Sequence, residues 1–260
     1  MLYSSIDVAR REYEEFVRST KSGSSPKGNS QQFDYIKSEI ADMCAVAEKY
    51  RDKRDELFND TDKSACEMLY GSKSIIPRGL YNPSPIVDKI LQDFSRGHLI
   101  KNIVGENEEF FKFIFDDDKK LIRADLYNDM PVKPYSSEFI VRSGNSEYGL
   151  TFHNAWNKIN YVCKTVFDQY GLTQSTMGFC FNTHNNSYSP DSVIDIDNYE
   201  EYYYSGGKLI GACVYTMSAV SCFYSMKEYT FFYDDDGSMS NRYLCRYSDN
   251  GELVIKEIFA

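Results

Sequence analysis

Residues 231–239 read FFYDDDGSM, with three acids and a glycine set against aromatic residues. The stretch could be a metal loop, a cluster of catalytic carboxylates or a reversal of the chain. A reversal predicts that the same arrangement recurs wherever strands turn, without ligand spacing. It does recur: FDDDKKL at 115–121, FDQYGLT at 167–173, YSGGKLI at 204–210 and YSDNGEL at 247–253 each begin with an aromatic residue, pass through turn formers and resume with a leucine. Asp and Asn close local turns through their side chains, and Gly supplies the positive φ needed before the next strand. The intervals are uneven, which predicts a meandering sheet and not a solenoid of fixed period.

Working outward from these turns, the chain from about residue 99 is rich in Tyr, Phe, Val, Ile and Thr in short runs, the composition of antiparallel strands. The first hundred residues have a helical texture instead. Ile6, Ala9, Tyr13, Phe16 and Val17 share one helix face before the polar loop KSGSSPKGNS. Phe33, Ile36, Ile40, Met43, Cys44, Ala47, Tyr50, Arg54, Leu57 and Phe58 then keep a near-helical period, so two long helices are expected to pack as a hairpin. GSKSIIPRGLYNPSP at 71–85 interrupts regular structure, and Ser84 and Pro85 open a short helix over IVDKILQDF. The expected fold class is α+β: a helical region at 1–98, made of a long helical hairpin plus a short helix, followed by a twisted antiparallel β-sheet meander at 99–260. Whether these form one continuous domain or two is left open by the sequence.

The formal charge of -10 and pI near 4.9 argue against nucleic acid or an anionic membrane as the main partner and favour a basic one. Seven cysteines at irregular spacing, behind an amino terminus that goes straight into the amphipathic pattern MLYSSIDVARREYEEF, fit reduced thiols in a cytoplasmic protein. LIGACVYTMSAVSCFYSM at 209–226 has the length of a short membrane span. Its glycine, serines and threonine make a buried pair of strands the better expectation.

Tests for chemistry return little. Asp234, Asp235, Asp236 and Gly237 lack the alternating oxygen ligands and distal glutamate of a calcium loop. Cys180 and His184, with Cys163 and His153 upstream, do not form the two close pairs of structural zinc. SGNSEYG at 143–149 places its second glycine one residue too late for a nucleophile elbow at Ser146. No glycine-rich phosphate loop joins a strand to a helix, so neither a cofactor nor a metal is expected. What remains is an acidic, tyrosine-bearing stretch, DIDNYEEYYY at 195–204. Tyrosine beside carboxylates suits an interface with basic side chains. The candidate partner-binding residues are Asp195, Asp197, Glu200, Glu201, Tyr202 and Tyr204, with Asp234, Asp235 and Asp236 of the turn.

The stretches FFKFIFDDDKKLIRADLYN, EEYYYSGGKLIGACVYT and EYTFFYDDDGSMSNRYLCRYSDNGELVIKEIF resemble sheet-rich immunity proteins encoded beside polymorphic toxins, including those of contact-dependent growth inhibition. The resemblance covers roughly residues 99–260. It implies a cytoplasmic, non-enzymatic protein that binds a cognate toxin domain and blocks it, with no direct contact to nucleic acid or membrane. The acidic composition then calls for a basic toxin, for instance a nuclease. Two other readings stand beside it: a hydrolytic enzyme whose carboxylates are brought together by the fold, and a non-catalytic scaffold.

Overall fold

A computed structural model describes residues 30–74, 76–87, 96–101, 109–128, 133–182, 187–217, 224–234, 236–247 and 253–259. They contain two α-helices, α1 (Ser30–Tyr50) and α2 (Arg54–Ser64), and thirteen β-strands. The expected α+β division into a helical region and a later sheet is therefore corrected: the described chain is mostly antiparallel sheet, and strands begin at Glu67. The first expected helix, with its KSGSSPKGNS loop up to residue 29, lies outside the described residues, as does most of the short helix over IVDKILQDF.

The run read as one helix from Phe33 to Phe58 is two. Arg51 and Lys53 donate their N–H groups to carbonyls only three residues back, Glu48 at 3.3 Å and Tyr50 at 3.1 Å, which closes α1. YRDKRD supplies no aliphatic side chain to continue the buried stripe of Ile36, Ile40, Met43, Cys44 and Ala47. β1 (Glu67–Ser72) was hidden because EMLYGS is short and lacks period-2 alternation, with burial set by its neighbour β3 (Phe110–Phe115).

The chain forms two compact units, Ile40–Asp195 and Met1–Glu39 with Ile196–Ala260. In the first, β2 (Leu99–Ile100), β1, β3, β4 (Leu121–Tyr127), β5 (Ser136–Ser143), β6 (Ser146–His153), β7 (Lys158–Phe167) and β8 (Thr173–Phe181) lie side by side in that order, antiparallel throughout. In the second, β9 (Val193–Ser205), β10 (Lys208–Met217), β11 (Tyr224–Tyr233), β12 (Met239–Tyr247) and β13 (Leu253–Phe259) follow one another as a meander. The uncharged stretch 209–226 falls on β10 and the start of β11, apart from 218–223, which lie outside the described residues, and no described helix is long and apolar enough to cross a membrane.

Three of the recurring turns share one geometry. Asp116, Asp168 and Asp234 donate N–H to the carbonyls of Lys120, Leu172 and Ser238 at 3.0, 2.9 and 2.8 Å, and accept at their own carbonyls from Lys119, Gly171 and Gly237 at 3.0, 3.1 and 2.9 Å. The last three residues have φ of 59, 80 and 85°, the left-handed position at which glycine costs least. Gly206 and Gly207, at φ 55 and 78°, form the tighter two-residue turn between Ser205 and Lys208. The turn within 247–253 lies outside the described residues.

Both faces of the first unit's sheet are covered. On one, Ile40, Met43, Cys44 and Ala47 of α1 are buried, and Phe58 of α2 meets the fully buried Phe139 edge-on at 4.9 Å. Asp42 fastens α1 by accepting from Tyr148 Oη at 2.7 Å and Lys164 Nζ at 2.9 Å. Burial raises the Asp42 carboxyl, but those two donors outweigh it and hold it below its usual range. On the other face, Phe111, Phe113, Phe115, Leu121, Ala124 and Ile140 form a core cluster packed by Leu80 and Tyr81.

The segment carrying Leu80 and Tyr81 is held by Arg78. Ile76–Gly79 is a turn closed by Gly79 N–H to Ile76 carbonyl at 2.9 Å, with Pro77 second and Arg78 third at φ 63°, ψ 5°. These are type II values, and glycine is the usual occupant there. Arg78 is only 4% exposed. Its Nε and Nη2 donate to Glu138 Oε1 at 2.9 and 2.6 Å, its Nη1 to Glu147 Oε1 at 2.7 Å and its Nη2 to Cys163 Sγ at 3.1 Å. Burial opposes the charge, yet Glu138, Cys163 and Glu147 more than offset this and keep the guanidinium cationic. Gly149, paired with Ile140 on one side and Cys163 on the other, leaves the space for it. A Cβ there would stand 1.9 Å from Glu138 Oε1, 2.4 Å from Arg78 Nη2 and 2.7 Å from Cys163 Sγ.

G149A is accordingly expected to displace the buried pair and cost about 3–5 kcal/mol in urea unfolding. G144A, in an exposed turn at φ 60° with nothing within 4 Å of the new methyl, should cost only about 1–2 kcal/mol. Equal losses would show that the cluster does not depend on the missing Cβ.

Candidate interaction surface

The acidic tyrosine-rich stretch forms β9, and alternation along a strand divides its side chains between two faces. Register with β10 and β11 identifies what each face carries. In one row Glu200 stands opposite Val214, which stands opposite Lys227. In the next row, on the other face, Glu201 stands opposite Cys213, which stands opposite Glu228. The Glu200 face thus brings a lysine into the carboxylate's row. On the Glu201 face two carboxylates share a row, with α-carbons about 10 Å apart from two interstrand spacings.

Tyrosines fix the Glu201 carboxylate. Tyr199 Oη donates to Glu201 Oε1 at 2.9 Å and Tyr203 Oη to Oε2 at 3.3 Å, so both oxygens are held by phenols while the residue stays partly exposed. Tyr199 also meets Tyr35 edge-on at 5.9 Å and Tyr215 at 5.8 Å. Burial, and then the neighbouring carboxylate of Glu201, raise the Tyr199 hydroxyl well above its usual range. For Tyr203, burial leads, followed by Cys213 and Glu201. These phenols stay protonated and act as donors. Cys213, between the two glutamates, is pushed up to about 12 by burial and by Glu228, against the hydrogen bonds from Tyr203 and Tyr215.

The candidate residues are not all brought together. On the Glu200 face, Tyr202 is buried and donates its hydroxyl to Glu200 Oε2, while Tyr204 is half-buried. Asp195 and Asp197 lie on β9, but their side chains are outside the described part, as is Asp235. Asp234 and Asp236 belong to the β11–β12 turn, where Ser238 donates its N–H at 2.8 Å and its hydroxyl at 2.6 Å to Asp236 Oδ1. Those bonds lower the Asp236 carboxyl, helped by Lys208. Lys208 is five residues from Cys213 along β10, so this turn is separated from the Glu201 row by about 17 Å. Tyr199, Tyr203, Tyr215, Cys213 and Glu228 escaped sequence reasoning. Counting in twos from Glu201 finds the first two, but only cross-strand register finds the rest.

The other motifs have structural roles. Cys163 sits in the Arg78 cluster, Ser146 opens β6 after a two-residue hairpin, and His153 stacks on Trp156 at 4.0 Å. His184 lies outside the described residues, among which no group of three or more His, Cys, Asp or Glu could hold a metal ion. A shallow depression of about 530 Å³ is lined by Asn145, Phe167, Asp168, Gln169, Tyr170 and Gln174. The single carboxylate there is committed, through Oδ1, to the N–H groups of Tyr170 and Leu172 at 2.8 and 2.9 Å.

No protein-family model and no curated protein matches the chain.

Burial pushes the Cys44, Cys163 and Cys213 thiols up to about 12, whereas Cys66 is exposed. Brief treatment of the folded protein with N-ethylmaleimide at pH 8, read by peptide mass spectrometry, should label Cys66 and leave those three unmodified until denaturant is added. Early labelling of Cys213 would show that its thiol is not buried between the two glutamates.

Proposed function

We propose that this protein is a toxin-neutralising immunity protein that binds and blocks a basic toxin domain in the cytoplasm, through the acidic, tyrosine-bearing face of β9 and β11. The observation that carries the reading is the Glu201 row. Its carboxylate is kept in one orientation by two tyrosine hydroxyls, remains partly exposed and shares its row with Glu228. Side chains held in place lose less conformational freedom on binding. Tyr199 is buried and serves as a brace, while the partly exposed Tyr203 adds rigid contact area of the kind found at interface centres. A formal charge of -10 accelerates encounter with a cationic partner and makes that encounter salt-sensitive. The resemblance of residues 99–260 to sheet-rich immunity proteins points the same way. A basic nuclease domain is the partner chemistry that fits best.

The test uses the product of the gene adjacent to this chain's own, which this reading requires to be basic. Calorimetry should give 1:1 binding that weakens with salt, together with loss of the partner's toxicity. In stopped-flow association at low salt, E201K should slow binding by about tenfold or more, and E200K, on the face shared with Lys227, by much less. The difference should shrink at high salt. An unchanged rate for E201K at low salt would remove this face from the interface.

A further inference from the structure

We infer that α2 is a releasable strap laid over the sheet of the Ile40–Asp195 unit, whose opening uncovers Phe139 and the guanidinium of Arg123 while the sheet stays intact. The sequence RDELFNDTDKS gives α2 only Leu57 and Phe58 as large apolar residues, and none of its residues is buried. α1, by contrast, buries five hydrophobic residues. Lys53 at the start of α2 makes no side-chain capping bond. A helix of this length is marginal alone, so its tertiary contacts decide whether it stays in place.

Few side chains make those contacts. Phe58 packs edge-on against Phe139 at 4.9 Å, and the Arg123 guanidinium lies 4.7 Å from the Phe58 ring. Arg123 Nη1 donates to Thr61 Oγ1 at 2.7 Å and to Asp62 Oδ1 at 2.8 Å. At the other end, Arg54 Nη1 donates to the Asn154 carbonyl at 3.2 Å.

Arg123 makes release inexpensive in charge. The residue is 4% exposed, and its Nε is bound to Asp125 Oδ2 on its own strand at 3.1 Å. Lifting α2 removes the bonds to Thr61 and Asp62 but leaves the Asp125 bond in place, so no buried charge is left without a partner. Asp62 is itself largely exposed and is solvated in either state. Both ends of the strap are anchored independently of it. Ala47 of α1 is fully buried on one side, and on the other Cys66 N–H donates to the Phe115 carbonyl at 2.9 Å. Arg51–Lys53 and the extended Ala65, at φ −69° and ψ 118°, are the joints.

Hydrogen exchange of the full chain, followed by mass spectrometry under native conditions, tests this directly. Amides of residues 57–64 should exchange about 100-fold or more faster than those of β5–β7, through an opening that leaves the strands protected. F58A and D62A should each speed α2 exchange further, by about tenfold, with β5–β7 unchanged. Because Asp62 is exposed, D62A keeps the test usable if F58A fails to fold. Exchange of α2 in step with β5–β7 would overturn the inference. Fast exchange that ignores both substitutions would also overturn it, since neither Phe58 nor the Arg123 contact would then be the latch.

Discussion

The first unit is organised around a buried cation that needs room. Arg78 reaches the sheet only because Gly149 lacks a side chain, and Glu138, Glu147 and Cys163 then surround the guanidinium. A charge so enclosed must be matched, or its desolvation penalty goes uncompensated. The match fixes three strands at once, since Glu138 is on β5, Glu147 on β6 and Cys163 on β7. It also holds the IPRGLY turn at 76–81, including a non-glycine residue in a left-handed conformation that costs about 1 kcal/mol or more, and with it the Leu80 and Tyr81 side chains that close the phenylalanine core. A buried ion pair of this kind is better evidence for a specified geometry than for high stability.

The turns were legible in the sequence because their chemistry is local. The hydrogen bonds of Asp116, Asp168 and Asp234 span four residues, and the left-handed residue falls at the same offset in each. The uncharged stretch 209–226 was legible as paired strands for a related reason: its serines, threonine and glycine suit strands better than a membrane helix. What escaped was whatever depends on partners far along the chain. Arg78 stands in a stretch rich in proline and glycine that reads as an interruption, and its carboxylates follow 60 and 69 residues later. Gly149 read as the misplaced end of a nucleophile elbow, although its role is to leave a space. EMLYGS became a strand because β3 lies beside it.

The same division applies to the candidate surface. Acids beside tyrosines on one segment were visible, but a strand sends neighbouring residues to opposite faces. Cross-strand register separates Glu200, which shares its row with Lys227, from Glu201, which shares its row with Glu228. The tyrosine hydroxyls are raised beyond easy ionisation by burial and by the carboxylate, so they remain donors across the physiological range. On the Glu201 face one carboxylate is thus held by two phenols, and the thiol between the glutamates is itself pushed up.

The dependence on Arg78 is tested most directly by a double-mutant cycle with Arg78→Met and Glu138→Met, followed by urea unfolding. Arg78→Met strands the buried Glu138 carboxylate and should cost about 3–5 kcal/mol, whereas Glu138→Met leaves Arg78 its bond to Glu147 and should cost less. The double variant removes both charges and should be more stable than the sum of the two losses implies by about 2–3 kcal/mol. Losses that add to within about 0.5 kcal/mol would mean that the two side chains act independently, and would contradict the claim that their pairing organises the sheet.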